Sequence, residues 1–360
     1  MPLHPIFYIY PLNKWVSFHY IAEHHVQELR KYFHVEKVDE KALAIVMPVA
    51  QLSAKTLFFL HPYFYPIEVY EKKLIAKIGK PERLIGVDVA DSDHLTEHAV
   101  KLTEYATAII VPSNFSKRAY ERSGVKVPVH AIPHGVTEDY ISQPPSNPHN
   151  FKLLNNYKKE KKKKLIQTWM LHSSYRKGED LAYTIFNKLL AERNDIALVV
   201  RRPFSIDIYD TQIQPSNPKP NHAIPASWLT DQQIKELNDI CDIYLLTSRG
   251  GGFEHPPLLA LARGEPAVGA KGGAWEDYMP DWALVPSHRS GQVLPNNPIH
   301  NGYGVEMEIE PAVNKLHEIL NNLNDCKSRV QRYITTHVKE NLTWKKIGLM
   351  LKDIVHKYLD

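Results

Sequence analysis

The chain predicts an α/β protein made of two Rossmann-like, doubly wound domains, and three observations carry that expectation. Short apolar runs alternate with helix-patterned segments through both halves, the signature of parallel strands covered by helices on both faces. Between the halves, from Ser142 to Lys164, the pattern lapses into proline, asparagine and lysine, which reads as a linker or long surface segment. The second half contains Asp242–Gly273, DIYLLTSRGGGFEHPPLLALARGEPAVGAKGG, in which strand, glycine turn, helix and strand follow one another. The expected domains are therefore 1–155 and 156–340, with 341–360 as a closing helix.

The elements follow in order. Ile6–Tyr10 is a short apolar-aromatic strand, Pro11–Trp15 a polar turn, and His19–Tyr32 a weakly patterned helix. Leu43–Val49 and Thr56–Leu60 read as buried strands, with His61 at the end of the latter. Glu68–Ile78 is patterned as a helix and Leu84–Val89 as a strand. Asp88–Glu97, DVADSDHLTE, sets acids and His94 directly after that strand, and the helix His94–Ala106 repeats apolar residues at Leu95, Ala99, Leu102 and Ala106. Ala108–Val111 is a strand. Ser113 suits the N-cap of Asn114–Arg122, and Gly124 its stop. Val127–Ile132 completes this half.

The second half restarts with strand Leu165–Met170 and a polar loop holding His172, Arg176 and Lys177-Gly178. Helix Leu181–Leu190 and strand Ala197–Val200 lead to Arg201-Arg202. Pro203–Ser227 is a long loop with prolines at 203, 215, 218, 220 and 225. Helix Leu229–Ile240 feeds strand Ile243–Leu246. Pro256 fits the first turn of the next helix and Gly264 its end, before strand Ala267–Ala270. Ala312–Leu323 and Lys327–His337 are helical. Trp344–Tyr358 places Trp344, Ile347, Leu351, Ile354, Val355 and Tyr358 on one face that needs burial.

Composition excludes several classes. At 360 residues, 43% apolar and 23% charged, the chain suits two globular domains. A net charge of +4 is too small to argue for nucleic acid. Two cysteines, Cys241 and Cys326, suit a reducing compartment. No signal peptide is evident, and no apolar run approaches the roughly 20 residues that span a bilayer. The cytoplasm, or the inner face of a membrane, is the expected location. The run Lys158–Lys164, six lysines and one glutamate, reads as a solvated face or as a contact for anionic lipid headgroups.

Zinc spacings, HExxH, EF-hand loops and GxSxG elbows are all missing, and Gly264–Lys271 departs from a P-loop at Ala270 and Gly272. What remains are anion-binding features at strand ends. Lys177, Arg201, Arg202 and the Gly250–Gly252 turn each follow a strand of the second half, where a doubly wound sheet gathers its ligand contacts. Cations beside a helix N-terminus suit a diphosphate. A tight strand-to-helix turn without any ligand is the other reading of the glycines.

These residues, in this order, resemble retaining glycosyltransferases of the GT-B fold, family 4, also called group 1. VPSNFSKRAYERSGVKVPVHAIPHGV (Val111–Val136) is similar to that family's last N-domain unit, the Lys177-Gly178 loop to its phosphate-binding lysine segment, and SRGGGFEHPPLLALARGEPAVGAKGG to its SxxEGFGxPxxEAxAxGxPVxxxxxGG pattern. NLTWKKIGLMLKDIV resembles its closing helix. The resemblance implies two domains facing a cleft, a C-terminal helix crossing back to the N-terminal domain, and transfer of a sugar with retention of configuration and no required metal. The donor would be a nucleotide-diphosphate sugar such as a UDP- or GDP-sugar, serving as co-substrate with no other cofactor. The acceptor would be a glycan, lipid or protein held by the N-terminal domain.

By the same resemblance Lys177 would hold the diphosphate, His172 would stand where an arginine is usual, and the backbone of Gly252 and Phe253 would face sugar and phosphate; Arg201, from its strand end, and Gly251 complete the donor-binding candidates. Glu276 follows the Gly272–Gly273 pair in a less specific region. Two family glutamates are replaced, by Gly251 and Leu259. Glu254 is placed to reach the first site from the helix start, or is simply a favourable first-turn acid. Asp91, Asp93 and His94 are the catalytic candidates of the first half, although Ser92 or Asp93 would also suit a helix cap. The missing glutamates leave open a nucleotide- or glycan-binding protein with little or no catalysis.

Overall fold

The computed structural model describes residues 5–14, 16–43, 45, 56–69, 83–172 and 174–359. The chain divides into two units. Unit 1 comprises Met1–Gly135, Leu294–Gly302 and Asn341–Asp360; unit 2 comprises Val136–Val293 and Tyr303–Glu340. The first crossing thus falls between Gly135 and Val136 rather than at 155.

Unit 1 is built on a sheet that, among the described residues, has six strands, all parallel. They are β1 (Ile6–Tyr10), β2 (Val35–Asp39), β3 (Leu57–Leu60), β4 (Leu84–Val87), β5 (Ala108–Val111) and β6 (Val129–Ala131), in the order β2-β1-β3-β4-β5-β6. The central strands read as continuous apolar runs, LFFL, LIGV and AIIV, because both sheet faces are covered. One face buries Phe58, Leu60, Leu102 and Tyr120; the other buries Tyr8, Phe59, Ile85 and Ile110. Helices α1 (Ser17–Leu29), α2 (Glu97–Thr103) and α3 (Asn114–Arg122) connect the strands. Ser113 caps α3 by accepting the Ser116 N–H at 3.1 Å, and Gly124 leaves it at φ +90°.

The closing helix Trp344–Leu359 packs against α1 in this unit. Trp344, Ile347, Leu351, Ile354 and Val355 join Ile21, Ala22, Val26 and Leu29 in the second core. Gly348 lies directly over Glu28, where a Cβ would come within 2.7 Å of the glutamate Cβ, so the two backbones approach closely.

Several sequence expectations for unit 1 need correction. Leu43, expected to open a strand, follows the 3-10 turn Glu40–Ala42, and residues 46–49 lie outside the described residues. Residues 64–69 are helical, whereas most of the expected helix Glu68–Ile78 also lies outside them. Helix α2 starts at Glu97 rather than His94, because the cap is Thr96, whose Oγ1 accepts the Ala99 N–H at 3.0 Å; neither Ser92 nor Asp93 caps it.

Unit 2 holds strands β7 (Lys164–Trp169), β8 (Ile196–Arg201), β9 (Ser205–Tyr209), β10 (His222–Pro225), β11 (Ile243–Leu246), β12 (Ala267–Ala270) and β13 (Leu284–Val285). Their order is β10-β9-β8-β7-β11-β12-β13. The block from β8 to β13 is parallel; β9 and β10 add an antiparallel edge. A separate hairpin pairs β14 (Ser287–Gln292) with β15 (Tyr303–Met307). The helices are α4 (Glu138–Ser142), α5 (Lys152–Glu160), α6 (Glu179–Glu192), α7 (Asp231–Ile240), α8 (His255–Ala262), α9 (Ile309–Asn321) and α10 (Leu323–Tyr333).

Two readings are corrected here. Ser142–Lys164 is only in part the expected linker or surface segment: residues 143–150 are irregular, but α5 buries Leu154 and Tyr157, together with Phe151, against Leu165, Val199 and Leu237. Pro203–Ser227 is not wholly a loop, because β9 and β10 fall inside it. Three lysines of the basic run also serve the fold. Lys158 Nζ lies 2.7 Å from the buried Asp242, Lys163 donates to Asn194 O at 2.5 Å, and Lys164 Nζ donates to Leu320 O at 2.9 Å. Lys159, Lys161 and Lys162 are exposed.

Candidate functional site: the glycine turn and the lysine turn

Strand β7 lies between β8 and β11, so the chain leaves the sheet in opposite directions on either side of it. The loops after β7 and β11 therefore lie beside the switch point, where doubly wound sheets bind ligands. After β7 comes the helical turn Ser174–Lys177, and after β11 come Thr247–Glu254. The two segments interlock. Arg249 N–H donates to Arg176 O at 2.7 Å, Thr247 Oγ1 donates to Lys177 O at 2.9 Å, and Gly178, at φ +67°, lies so close to Thr247 O that a Cβ would overlap it. Only glycine meets both demands at 178.

Arg249 is the centre of this arrangement. Its side chain is 2% exposed. It forks onto Asp180 at 2.8 and 2.7 Å, donates to Glu306 Oε2 at 2.5 Å and to Tyr175 O at 2.8 Å, and lies 4.2 Å from the Tyr175 ring centroid. One guanidinium thus joins the lysine turn, the start of α6 and strand β15. The opposed carboxylates hold it firmly protonated. Strand β15 adds Val305 N–H to Arg249 O at 2.8 Å.

Lys177 and Glu254 meet across the turn. Lys177 Nζ donates to both carboxylate oxygens, at 2.7 and 2.5 Å, and Arg176 Nη1 lies 3.6 Å from Oε1. Glu254 adopts φ +62°, a left-handed conformation that costs a residue with a Cβ on the order of 1–2 kcal/mol. That conformation aims its side chain back over Gly251, where any Cβ would overlap the carboxylate. Glu254 thus sits beside position 251, where the resemblance sets a family glutamate. Its place is the N-cap of α8, but its side chain caps nothing there. The first-turn-acid reading is therefore replaced by an ion pair.

The other expected residues are placed as follows. His172 is exposed along one side, and partial burial of the other, followed by Arg176 and Lys177, lowers its pKa. Arg201 is buried, donates to the carbonyls of Ser205 and Ser227, and is pushed down to about 10 by burial. Arg202 pairs with Glu179 and with Asp207 at 2.8 Å. Gly251 and Gly252 are buried in the turn, and the Phe253 ring packs 4.8 Å from Tyr278. Leu259 is 3% exposed in the core, so α8 presents no acid there. Glu276 accepts the Gly272 N–H at 2.7 Å.

In unit 1 the candidates follow β4. Asp88 is buried, accepts the Phe64 and Val89 N–H groups at 2.8 Å each, and is raised to about 6 by burial. Asp91 is half-buried and bears on Asp88. Asp93 Oδ1 lies 3.8 Å from His94 Nδ1, with His94 exposed. Ser92 Oγ accepts the Gly302 N–H at 3.1 Å and donates to His94 O at 2.8 Å. Of a further buried cluster the sequence marked His61 alone: Tyr8 OH meets His25 Nδ1 at 2.7 Å and His61 Nδ1 at 3.5 Å. Tyr8 and His25 carry no local signal, because the cluster forms only when β1, α1 and the end of β3 come together. Among the described residues no group of three or more His, Cys, Asp or Glu could hold a metal ion.

No protein-family model matches the chain. It is 31% identical over 364 residues to uncharacterized protein 356 of Sulfolobus islandicus rod-shaped virus 1, covering 98% of each chain. It is 26% identical over 259 residues to "Putative glycosyltransferase 45" of Sulfolobus islandicus filamentous virus, covering 70% of this chain and 68% of that one. Among solved structures, HepE of Anabaena in complex with UDP and glucose superposes with a TM-score of 0.60 at 12% identity, over 98% of this chain and 100% of the other. Sucrose-phosphate synthase of Thermosynechococcus elongatus gives a TM-score of 0.64 at 12% identity, over 98% of each. The shared fold is the Rossmann-like GT-B fold of glycosyltransferases. No helix among the described residues is long and apolar enough to cross a membrane.

Proposed function

The chain belongs to the protein family of uncharacterized protein 356 of Sulfolobus islandicus rod-shaped virus 1, and we propose that it is a glycosyltransferase using a nucleotide-diphosphate sugar. The observation that carries this reading is the interlocked pair of turns beside the β7 switch point, with Lys177, Arg176 and the glycine backbone on one side of the α8 N-terminus. Breaking the bond between sugar and diphosphate leaves negative charge on the departing phosphate. Fixed cations and backbone N–H groups already aimed at that charge lower the barrier without reorganising. Lys177 and Arg176 supply the cations, the Gly250–Gly252 turn lets backbone approach, and Glu254 contacts the sugar. Asp91, Asp93 and His94 contact sugar or acceptor in unit 1. Transfer with retention and without a metal, as in family 4, completes the proposal. The acceptor is a glycan, lipid or protein, and contact with an anionic membrane surface through Lys159, Lys161 and Lys162 suits a lipid-linked one.

Calorimetric titration with UDP, GDP and ADP and their sugar conjugates, with and without EDTA, tests it. One nucleotide should bind at micromolar strength, indifferent to EDTA, and Lys177→Met should abolish both that binding and turnover. A chain that binds none of them is not a transferase of this class. Binding without turnover of any conjugate would favour the non-catalytic alternative raised by Leu259.

A further inference from the structure

We infer that Glu254 is a mobile counter-anion that trades places with the donor diphosphate and so drives the nucleotide product off the enzyme. This rests on the function proposed above and adds a step to it. Carboxylates and phosphates are both oxyanions that take the same N–H donors, so they compete for one set of cations. Glu254 already holds Lys177 with both oxygens and lies 3.6 Å from Arg176, with its side chain 5% exposed. A diphosphate that engages Lys177 must therefore displace it.

Three features mark this pairing as built rather than incidental. Glu254 takes a left-handed backbone that L-residues rarely adopt, and that conformation brings the carboxylate to the cations. Gly251 gives up its side chain where a Cβ would overlap that carboxylate. Tyr278 OH donates to Glu254 O and fixes the residue's backbone, so the side chain alone is left to move.

A buried carboxylate stripped of its cations is costly unless it finds donors elsewhere. Sugar hydroxyls are such donors. While the conjugate is bound, Glu254 engages the sugar. When the sugar leaves, the carboxylate loses those hydroxyls and returns to Lys177, displacing the nucleoside diphosphate. A nucleoside monophosphate, with no second phosphate for Lys177, does not meet this competition.

Titration of UDP, GDP, UMP and GMP into the full chain tests the exchange, with Glu254→Gln and Glu254→Asn as variants. Gln keeps the shape without the charge. Asn cannot reach Lys177 but suits a left-handed N-cap, so it protects the test against a folding failure. The diphosphate preferred by the native chain should bind both variants on the order of tenfold tighter, the size expected for one charge-assisted contact. The matching monophosphate should change by less than about twofold, and turnover should become limited by release of the diphosphate. Native diphosphate binding with equal or weaker binding in the folded variants overturns this inference and leaves the function standing. Equal tightening of monophosphate and diphosphate overturns it as well. Failure of all three proteins to bind any diphosphate overturns the function and the inference together.

Discussion

Acidification should weaken unit 1 through His61, and the size of the effect follows from its burial. His61 is 2% exposed at the end of β3, and burial alone pushes its pKa down to about 3. The unfolded value is about 6.5, so between those limits the unfolded chain binds the proton and the folded chain does not. Stability from this group is fully present above about pH 6.5 and is lost as pH falls towards 3. At pH 5, about 1.5 units below the unfolded value, the loss is about 2 kcal/mol. His25 shifts in the same direction, by burial and then by the neighbouring His61 and His24. Asp88 opposes both: raised to about 6, it takes up a proton in the folded state first and regains stability on acidification. The total pH profile therefore mixes signs, and the clean quantity is a difference between two proteins. Urea unfolding of the native chain and of His61→Met, compared at pH 7.5 and pH 5, should show the variant gaining about 2 kcal/mol relative to native at the lower pH. Parallel profiles, or a His61 imidazole that titrates near 6.5 by NMR, would refute the reasoning.

Three further outcomes follow from the geometry. Arg249→Met should cost about 2 kcal/mol, below the range for a fully buried pair because Asp180 and Glu306 remain partly solvated; Arg249→Lys should recover less than half, read by urea unfolding and nucleotide affinity together. Trp344→Ala should destabilise by about 3–5 kcal/mol, since the indole is 3% exposed and stacks on His24 at 4.5 Å, and the same unfolding assay checks it. Gly178→Ala should cost at least about 2 kcal/mol in thermal or urea unfolding and weaken diphosphate binding, because a Cβ there meets Thr247 O in a left-handed backbone.

How much of this was legible in the sequence depended on where apolar residues concentrate. Strands β1, β5, β11 and β12 have the expected ends because they are interior runs bounded by polar residues. Two weakly apolar strands escaped notice for the opposite reason. Strand β2 reads VEKVD, half-exposed and paired among the described residues with β1 alone, and β14 reads SHRSGQ with little to bury. Strands β9 and β10 were masked by the prolines around them, and α5 by its lysines, although Leu154 and Tyr157 three residues apart carry its buried side. Within the candidate site, the glycines and Lys177 were readable as residue types. The Lys177–Glu254 pair was not, because it depends on the backbone sign at Glu254. Nor was Arg249, whose partners Asp180 and Glu306 lie far apart in sequence and meet only once β15 is in place.

The discontinuity of unit 1 bears on how the protein is made. Helix α1, emerging early from the ribosome, packs on β1 and β2, but part of its apolar cover is Trp344–Val355, at the other end of the chain. During synthesis the side of α1 that takes Trp344–Val355 therefore stays uncovered while the whole of unit 2 is translated, a long exposure for an aggregation-prone surface. Unit 2, whose strands lie within Val136–Val293 and Tyr303–Glu340, is complete before that helix appears. The second domain in sequence is thus positioned to finish folding first, and a stop codon ahead of Trp344 would leave a nascent chain whose opening domain never closes.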